Sequence, residues 1–319
     1  MAYTTGDTIL DDEYNNFVGK ATSPFGLNHF AGTGALQYGL GESAVATVSA
    51  NNAINASEWN ALFSGMATIA GHTGDTLTSR SSISGGDAIE ISANVATDLA
   101  TLAASVAAGC PSTSAVTTSS ALQSPASSST WYGSFTTQVS ATFASANAMR
   151  FFFNAGGKIR LDPIRTGNGG TDGVSGKDSA WDNLNNAVGN FDIKSTTCTR
   201  SGSGETQDTF ASTTGFYDLG TGYTTLLQLS DDTYPYTANN IKIEAKLNAT
   251  PGSATVITIQ TTATDGAADT TFTDASADNT AYRNGQHQHR LYSVNTTTGG
   301  GLANAYAPSS TAIVSNSTA

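Results

Sequence analysis

Charge is what this chain of 319 residues has least of. Asp, Glu, Lys and Arg together make up 12% of it, against about a quarter in ordinary soluble domains. What charge there is leans acidic, with 25 acids against 13 bases and a formal net charge of −12. Nucleic-acid affinity comes from Lys and Arg neutralising phosphates, so this balance argues against a duplex-binding role. The two cysteines, Cys110 and Cys198, lie far apart and form no C-x-x-C pair, which favours free thiols in a reducing compartment over a disulfide. No apolar run approaches the roughly 20 residues needed to span a bilayer, so no membrane insertion is expected. The N-terminus shows no basic stretch followed by an apolar one, hence no visible signal peptide, and synthesis in a cytosol is the expectation.

Ser, Thr, Asn, Gly and Ala stand where charge is missing. A surface of hydroxyls and amides suits β-rich extracellular or particle proteins. Hydrophobic residues reach 38% and aromatics 8%, enough for a core of ordinary size, and their strong periodicity argues against disorder for most of the chain. The length accommodates two domains.

Helical signals dominate the first third. Asp11 can cap a short helix that places Tyr14, Phe17 and Val18 on one side. A stronger helix begins at Asn55, with Glu58 at capping-box spacing. Trp59, Leu62, Phe63, Met66 and Ile69 form its apolar stripe, and Gly71 is the expected stop. A third helix, after Asp87, uses Ile91, Val95, Leu99, Leu102 and Val106 and closes at Gly109 and Pro111. Ser112 to Thr130 is rich in Ser, Thr and Ala and lacks charge, as a linker or an extended surface segment does. The organisation expected is a helical module over 1–111, a linker over 112–129 and a β module over 130–319.

Beyond the linker the period is mostly two. Trp131, Gly133, Phe135, Thr137, Val139, Ala141 and Phe143 alternate as a strand with one buried face. Ser145 to Phe153 follows as a short segment. Asn154-Ala155-Gly156-Gly157 suits a sharp reversal, and Lys158 to Leu161 alternates again, to stop at Pro163. Tyr223–Leu229, Ile241–Leu247, Thr255–Thr262 and His287–Val294 are further strands, interrupted by one helix from Asp178 through Trp181, Leu184 and Val188 to Gly189. The fold class predicted is α+β: a helical N-terminal module followed by a mainly antiparallel β-sandwich.

The run Phe152-Phe153-Asn154-Ala155-Gly156-Gly157-Lys158-Ile159-Arg160 resembles a segment of virion structural proteins of tailed bacteriophages, notably the large cyanophages. Met1-Ala2-Tyr3-Thr4-Thr5-Gly6-Asp7, Asp11-Asp12-Glu13-Tyr14-Asn15-Asn16-Phe17, Gly32-Thr33-Gly34 and Tyr38-Gly39 are similar to the same family. So are Ile54-Asn55-Ala56-Ser57-Glu58-Trp59-Asn60 and Ala70-Gly71-His72-Thr73-Gly74. The likeness covers 1–75 and 130–230. It implies a particle component built with copies of itself and other virion proteins, more strongly than any one place in the particle.

Reactive constellations are sparse. Gly167-Asn168-Gly169-Gly170-Thr171-Asp172-Gly173 with Gly176-Lys177 invites a phosphate-loop reading. The pattern fails because Thr171 stands where the first Gly is required and Asp178 replaces the magnesium-holding Ser or Thr. No G-x-S-x-G elbow occurs, and neither cysteine has a His beside it in sequence. The acid pairs Asp11-Asp12 and Asp231-Asp232 point in different directions as neighbours and establish no acid/base couple. Asp265, Asp269, Asp274 and Asp278 could offer oxygens to calcium but lack EF-hand spacing, so solvated turn acids are expected. His29 and His72 stand alone, in loop or helix-end roles.

His287-Gln288-His289 is more pointed. On a strand both rings project to one face about 7 Å apart. A parallel trimer would gather six imidazoles able to enclose an octahedral transition-metal ion, a device known in phage fibres and spikes. The alternative is two polar residues on an exposed strand. Of the aromatics Trp131, Tyr132, Tyr234 and Tyr236 that could stack on host-surface glycan, core packing is the commoner fate for the first, and Tyr234 and Tyr236, flanking Pro235, are the ones expected to be exposed.

The residues themselves favour a non-enzymatic structural protein, and the resemblance implies one of a tailed-phage virion, assembled in the host cytoplasm. A tail fibre, fibre-attachment or baseplate-peripheral protein is expected first, a capsid-surface or neck component second and a glycan-binding adhesive module third. A fibre depolymerase would need a cleft with converging carboxylates.

Overall fold

The computed structural model describes residues 11–50, 52–85, 94–110, 117–123, 133–166, 176–266, 286–296 and 306–318. The chain forms two compact units that interleave along the sequence. One comprises 1–118, 147–157 and 295–307, the other 119–146, 158–294 and 308–319.

The first unit is helical. Helix α1 (Asp11–Gly19) buries Tyr14 and Val18. Helix α2 (Ala56–Thr73) buries Trp59, Leu62, Met66 and Ile69 as its stripe requires. At its start the Glu58 carboxylate accepts the Asn55 N–H at 2.5 Å, the return half of a capping box. Its end differs from expectation. Gly71 lies inside the helix and Gly74, at φ +80°, supplies the left-handed cap, donating its N–H to the Ala70 carbonyl at 2.8 Å. Glycine is tolerated within a helix held by packing, so the stop falls where the buried face runs out. Helix α3 (Asn94–Ala107) buries Val95, Leu99, Leu102 and Val106; Asp87 and Ile91 lie outside the described residues. Tyr14 packs edge-on against Trp59 at 5.2 Å between centroids, and its hydroxyl reaches the Ala46 and Glu58 carbonyls at 3.2 and 3.1 Å. Phe63 is half-buried beneath the Arg80 guanidinium, which pairs with Asp98 on α3.

This unit also takes in helix α4 (Ala146–Asn154), where the sequence suggested only a short segment. Seven consecutive residues, Ala148 to Asn154, are buried, Arg150 and Asn154 among them. The Arg150 guanidinium donates to the Tyr38 carbonyl at 2.8 Å, to Leu36 at 3.3 Å and to Gly34. One turn on, the Asn154 amide donates to Leu36 and Gly39 at 3.1 and 3.0 Å. Gly39 and Gly41 have φ of +102° and +77°, and a Cβ on either would meet the Phe151 ring within 3 Å. The loop that accepts these donors can therefore be built only with glycine there.

Among the described residues the second unit holds two sheets. A five-stranded sheet has the order β1-β10-β3-β4-β5, from β1 (Thr117–Gln123), β3 (Lys158–Thr166), β4 (Phe191–Ile193), β5 (Cys198–Arg200) and β10 (Gln286–Thr296). A six-stranded sheet has the order β11-β2-β9-β8-β7-β6, from β2 (Ser134–Thr142), β6 (Thr206–Phe210), β7 (Thr224–Ser230), β8 (Asn240–Leu247), β9 (Val256–Thr264) and β11 (Ser310–Thr318). Its strand pairs are all antiparallel. Helix α5 (Gly176–Val188) buries Trp181, Leu184 and Val188 and touches β3 of one sheet and β7 and β8 of the other. The protein is thus α+β, helices ahead of a mainly antiparallel β part, with a helix reaching both sheets.

Two boundaries move. The stretch expected as linker contributes edge strand β1. Strand β3 continues through Pro163 to Thr166, because β4 pairs only with 159–161 and Pro163 has a strand partner, at His289, on one side alone. A proline lacks only the donor that such a half-open position need not use. Across β3 and β4 the buried Asp192 carboxylate receives Lys158 at 2.6 Å and Arg160 at 2.6 and 3.0 Å. Burial would raise its pKa, but the two cations outweigh this and hold it below the usual carboxylate range.

Three outcomes follow for stability. Trp59→Ala should cost about 3–5 kcal/mol in urea unfolding and Phe63→Ala distinctly less, because only the first is fully enclosed. Arg150→Met should cost about 3 kcal/mol by stranding the Gly34 and Tyr38 carbonyls, and Arg150→Lys should restore only part, lacking the planar fork. His72, at the end of α2, is 1% exposed, with Nε2 2.9 Å from the Ala155 carbonyl and Nδ1 without a partner among the described residues. Burial depresses its pKa against the opposing pull of that carbonyl. The unfolded chain then binds the proton more readily, so the stability His72 confers is complete above about pH 6.5 and is lost as pH falls through the folded value. Thermal unfolding of His72→Gln should show a flatter pH dependence between about pH 5 and 7. His29, stacked on Phe25 at 4.4 Å and also depressed by burial, accounts for a remaining slope of the same sign.

Candidate functional site at one end of the six-stranded sheet

Register brings several strand ends of the six-stranded sheet together. Thr206 opens β6 opposite Ser230, which closes β7; Ser230 faces Asn240 at the start of β8; Asn240 faces Thr264 at the close of β9; Thr264 faces Ser134 at the start of β2. The residues one step outside, Glu205, Asp231, Asn239, Asp265 and Gly133, therefore form a row. Backbone bonds continue the ladder into it, from Asp231 N–H to Asn239 at 3.0 Å and from Asp265 N–H to Gly133 at 2.7 Å.

The β7–β8 connection, residues 231–239, is built of consecutive turns. Asp231 Oδ1 accepts the Thr233 N–H at 2.7 Å, the local bond by which aspartate starts a turn. Tyr236 N–H then reaches Thr233, and Asn239 N–H reaches Tyr236, both at 2.8 Å. The Tyr234–Pro235 peptide is cis. On this loop the Tyr234 side chain is 79% exposed and Tyr236 is half-buried. Both sequence-selected tyrosines thus belong to one short loop, and the outer of them presents its ring to solvent.

Across from the loop stands Glu205, in the left-handed region at φ +59° after Gly204 at +92°. Its Oε2 accepts the Asp232 N–H at 2.8 Å, so the acid before β6 is tied to the pair after β7. Burial raises the Asp231 pKa, and the Asp232 charge adds to this while the Thr233 N–H opposes it. Glu205 is likewise raised by burial and then by the charges of Asp231 and Asp232, against the Asp232 N–H. Sequence reading flagged Asp231-Asp232 and missed Glu205. Nothing local marks that residue, because Thr206–Phe210 is an exposed edge strand without apolar alternation, and only the hairpin register places it.

The remaining sequence candidates lie elsewhere. His287 and His289 occupy β10, inside the five-stranded sheet, opposite Arg165 and Pro163; their side chains lie outside the described residues. Trp131, Tyr132, Asp269, Asp274, Asp278 and the run 167–173 lie outside them altogether. Cys110 and Cys198 are free and buried, and burial pushes their thiols up to about 12 and about 11, far from a reactive thiolate at neutral pH. A cavity of about 280 Å³ beside β3 and α5 is lined by Pro163, Ile164, Asp182, Asn185 and Asn186, a set without a nucleophile or a base pair for acid/base work. Among the described residues no helix is long and apolar enough to cross a membrane. Comparison with protein-family models, curated protein sequences and solved structures finds no match to this chain.

Proposed function

We propose that the chain is a non-enzymatic structural protein of a tailed-phage virion, of the fibre, fibre-attachment or baseplate-peripheral kind, working in copies of itself. The resemblance carried by residues 1–75 and 130–230 supplies the virion assignment. The observation that best supports an architectural role is the half-buried polar face of the six-stranded sheet. There Gln138 donates to Gln260 at 2.7 Å, Gln260 to Glu244 at 2.9 Å and Thr225 to Glu244 at 3.2 Å. Thr136 and Thr262 bond one another at 3.2 Å. These rungs cross β2, β9, β8 and β7, and Lys242 balances Glu244 at 3.2 Å. Side chains already held by one another lose little further freedom when a neighbour covers them. Such a face suits permanent contact in a symmetric assembly.

A second reading, a glycan-binding adhesive module, is favoured by the exposed Tyr234 ring, since aromatic faces stack on sugars. Mass measurement of the purified protein and quantification of the chain in purified particles test the first reading. A homo-oligomer present in particles at a copy number matching tail symmetry is the expected result. A monomer absent from purified particles would overturn it, and a copy number of capsid or neck symmetry would move the protein there. Glycan binding that disappears in Tyr234→Ala would establish the adhesive reading.

A further inference from the structure

We propose that Glu205, Asp231 and Asp232 bind a hard divalent cation of the calcium class at the end of the six-stranded sheet. Geometry supplies the first reason. One carboxylate oxygen from each residue lies within 4.8 Å of those from the other two. Calcium holds its oxygen ligands at about 2.3–2.6 Å, so two oxygens on one ion can be no more than about twice that distance apart. Three oxygens this close can gather on a single ion with small movements of the side chains.

Burial supplies the second, independent reason. Asp231 is 2% exposed. Its Oδ1 takes the Thr233 N–H, whereas Oδ2 has no hydrogen-bond partner among the described residues. A carboxylate oxygen withdrawn from water calls for a proton or a cation. No Lys or Arg among the described residues forms an ion pair with any of the three acids. Burial first, and the neighbouring acid charges after it, raise the pKa of Asp231 and of Glu205.

Donor chemistry selects the class of ion. The set is oxygen only, with neither imidazole nor thiolate, which disfavours zinc and copper. Asp232 is exposed and Glu205 half-buried, so solvent can complete the six to eight oxygens calcium takes. The bound ion would pin the start of edge strand β6 to the loop that carries Tyr234.

Terbium(III), a luminescent stand-in for calcium, tests this in the full-length protein stripped of divalent ions. Tyr234 and Tyr236 share the site's loop and serve as excitation donors. Tyrosine-sensitised terbium emission displaced by calcium is expected, together with a calcium-dependent rise in Tm. Glu205→Gln and Asp232→Asn should each weaken both responses by ~10-fold or more, since ligand charge sets calcium affinity. Asp208→Asn, on β6 but outside the cluster, should leave them unchanged. Absence of sensitised emission and of any Tm response would overturn the proposal. So would responses that persist undiminished in Glu205→Gln and Asp232→Asn, as the ion would then sit elsewhere. Asp231→Asn adds support if it folds, but the decision rests on the two more accessible residues.

Discussion

A buried guanidinium that no carboxylate pairs among the described residues holds the helical unit together. Arg150 spends its donors on the Tyr38, Leu36 and Gly34 carbonyls and on the Asn147 side chain at 2.7 Å. Asn154 takes Leu36 and Gly39 from the next turn. The dependence runs both ways. A helix as short as α4 does not persist alone in water, and its polar residues can be enclosed only where acceptors meet them. The loop, in turn, has irregular backbone whose carbonyls need donors once covered. A residue with a Cβ at position 39 or 41 would push against Phe151 and separate the partners. Residues 32–39, 70–74 and 147–157 thus fall in one packed unit, where Arg150 and Asn154 serve the carbonyls of the loop and His72 meets the Ala155 carbonyl.

That arrangement decides how the chain divides. The helical unit borrows 147–157 from between β2 and β3, so a fragment ending at residue 111 would lack Arg150, Asn154 and the phenylalanines beside them. Ala155 also supplies the carbonyl for His72, and a Cβ on Gly156 would lie 3.3 Å from the Gly109 carbonyl. The division expected at 112–129 followed composition, which reports where charge and apolar residues are few. It is silent on a later segment returning to an earlier unit.

Legibility from sequence tracked how local each determinant is. The α2 stripe and its Asn55–Glu58 start, the Val95–Val106 face of α3, α5, and strands β2, β7, β8 and β9 are written in adjacent residues, and the structure has them. Non-local causes explain the rest. Helix α4 was obscured because Phe151, Phe152 and Phe153 are all buried, and a continuous apolar run has no period to read. Pro163 looked like a stop because its missing donor matters only if a strand lies on both sides. Gly71 looked like a cap because packing, which outweighs its low propensity, is invisible in one segment. Strand β6 has almost no buried face, and Glu205 acquires meaning only from the pairing of Thr206 with Ser230. Pro235 marks the turn that carries Tyr234 and Tyr236, but only the first is exposed, because the burial of Tyr236 depends on the fold around the loop.

The scarcity of charge bears on that sheet end. In a surface dense with acids and bases, three carboxylates within one ion's reach would be a common accident, each shadowed by a lysine. Here charged residues are 12% of the chain, and elsewhere among the described residues the buried Asp98 is matched by Arg80 and the buried Asp192 by Lys158 and Arg160. Asp231 departs from this rule. It is enclosed like Asp192, it stands beside two further acids, and no base meets it among the described residues. Its position follows from backbone needs, since Oδ1 starts the turn that leads to Tyr234, and the like charge of its neighbours costs stability unless something offsets it. A turn could have begun with asparagine at no electrostatic cost. Aspartate at that position, facing Glu205 across the hairpin, is the chemically expensive choice, and a cation is what would make it the stable one.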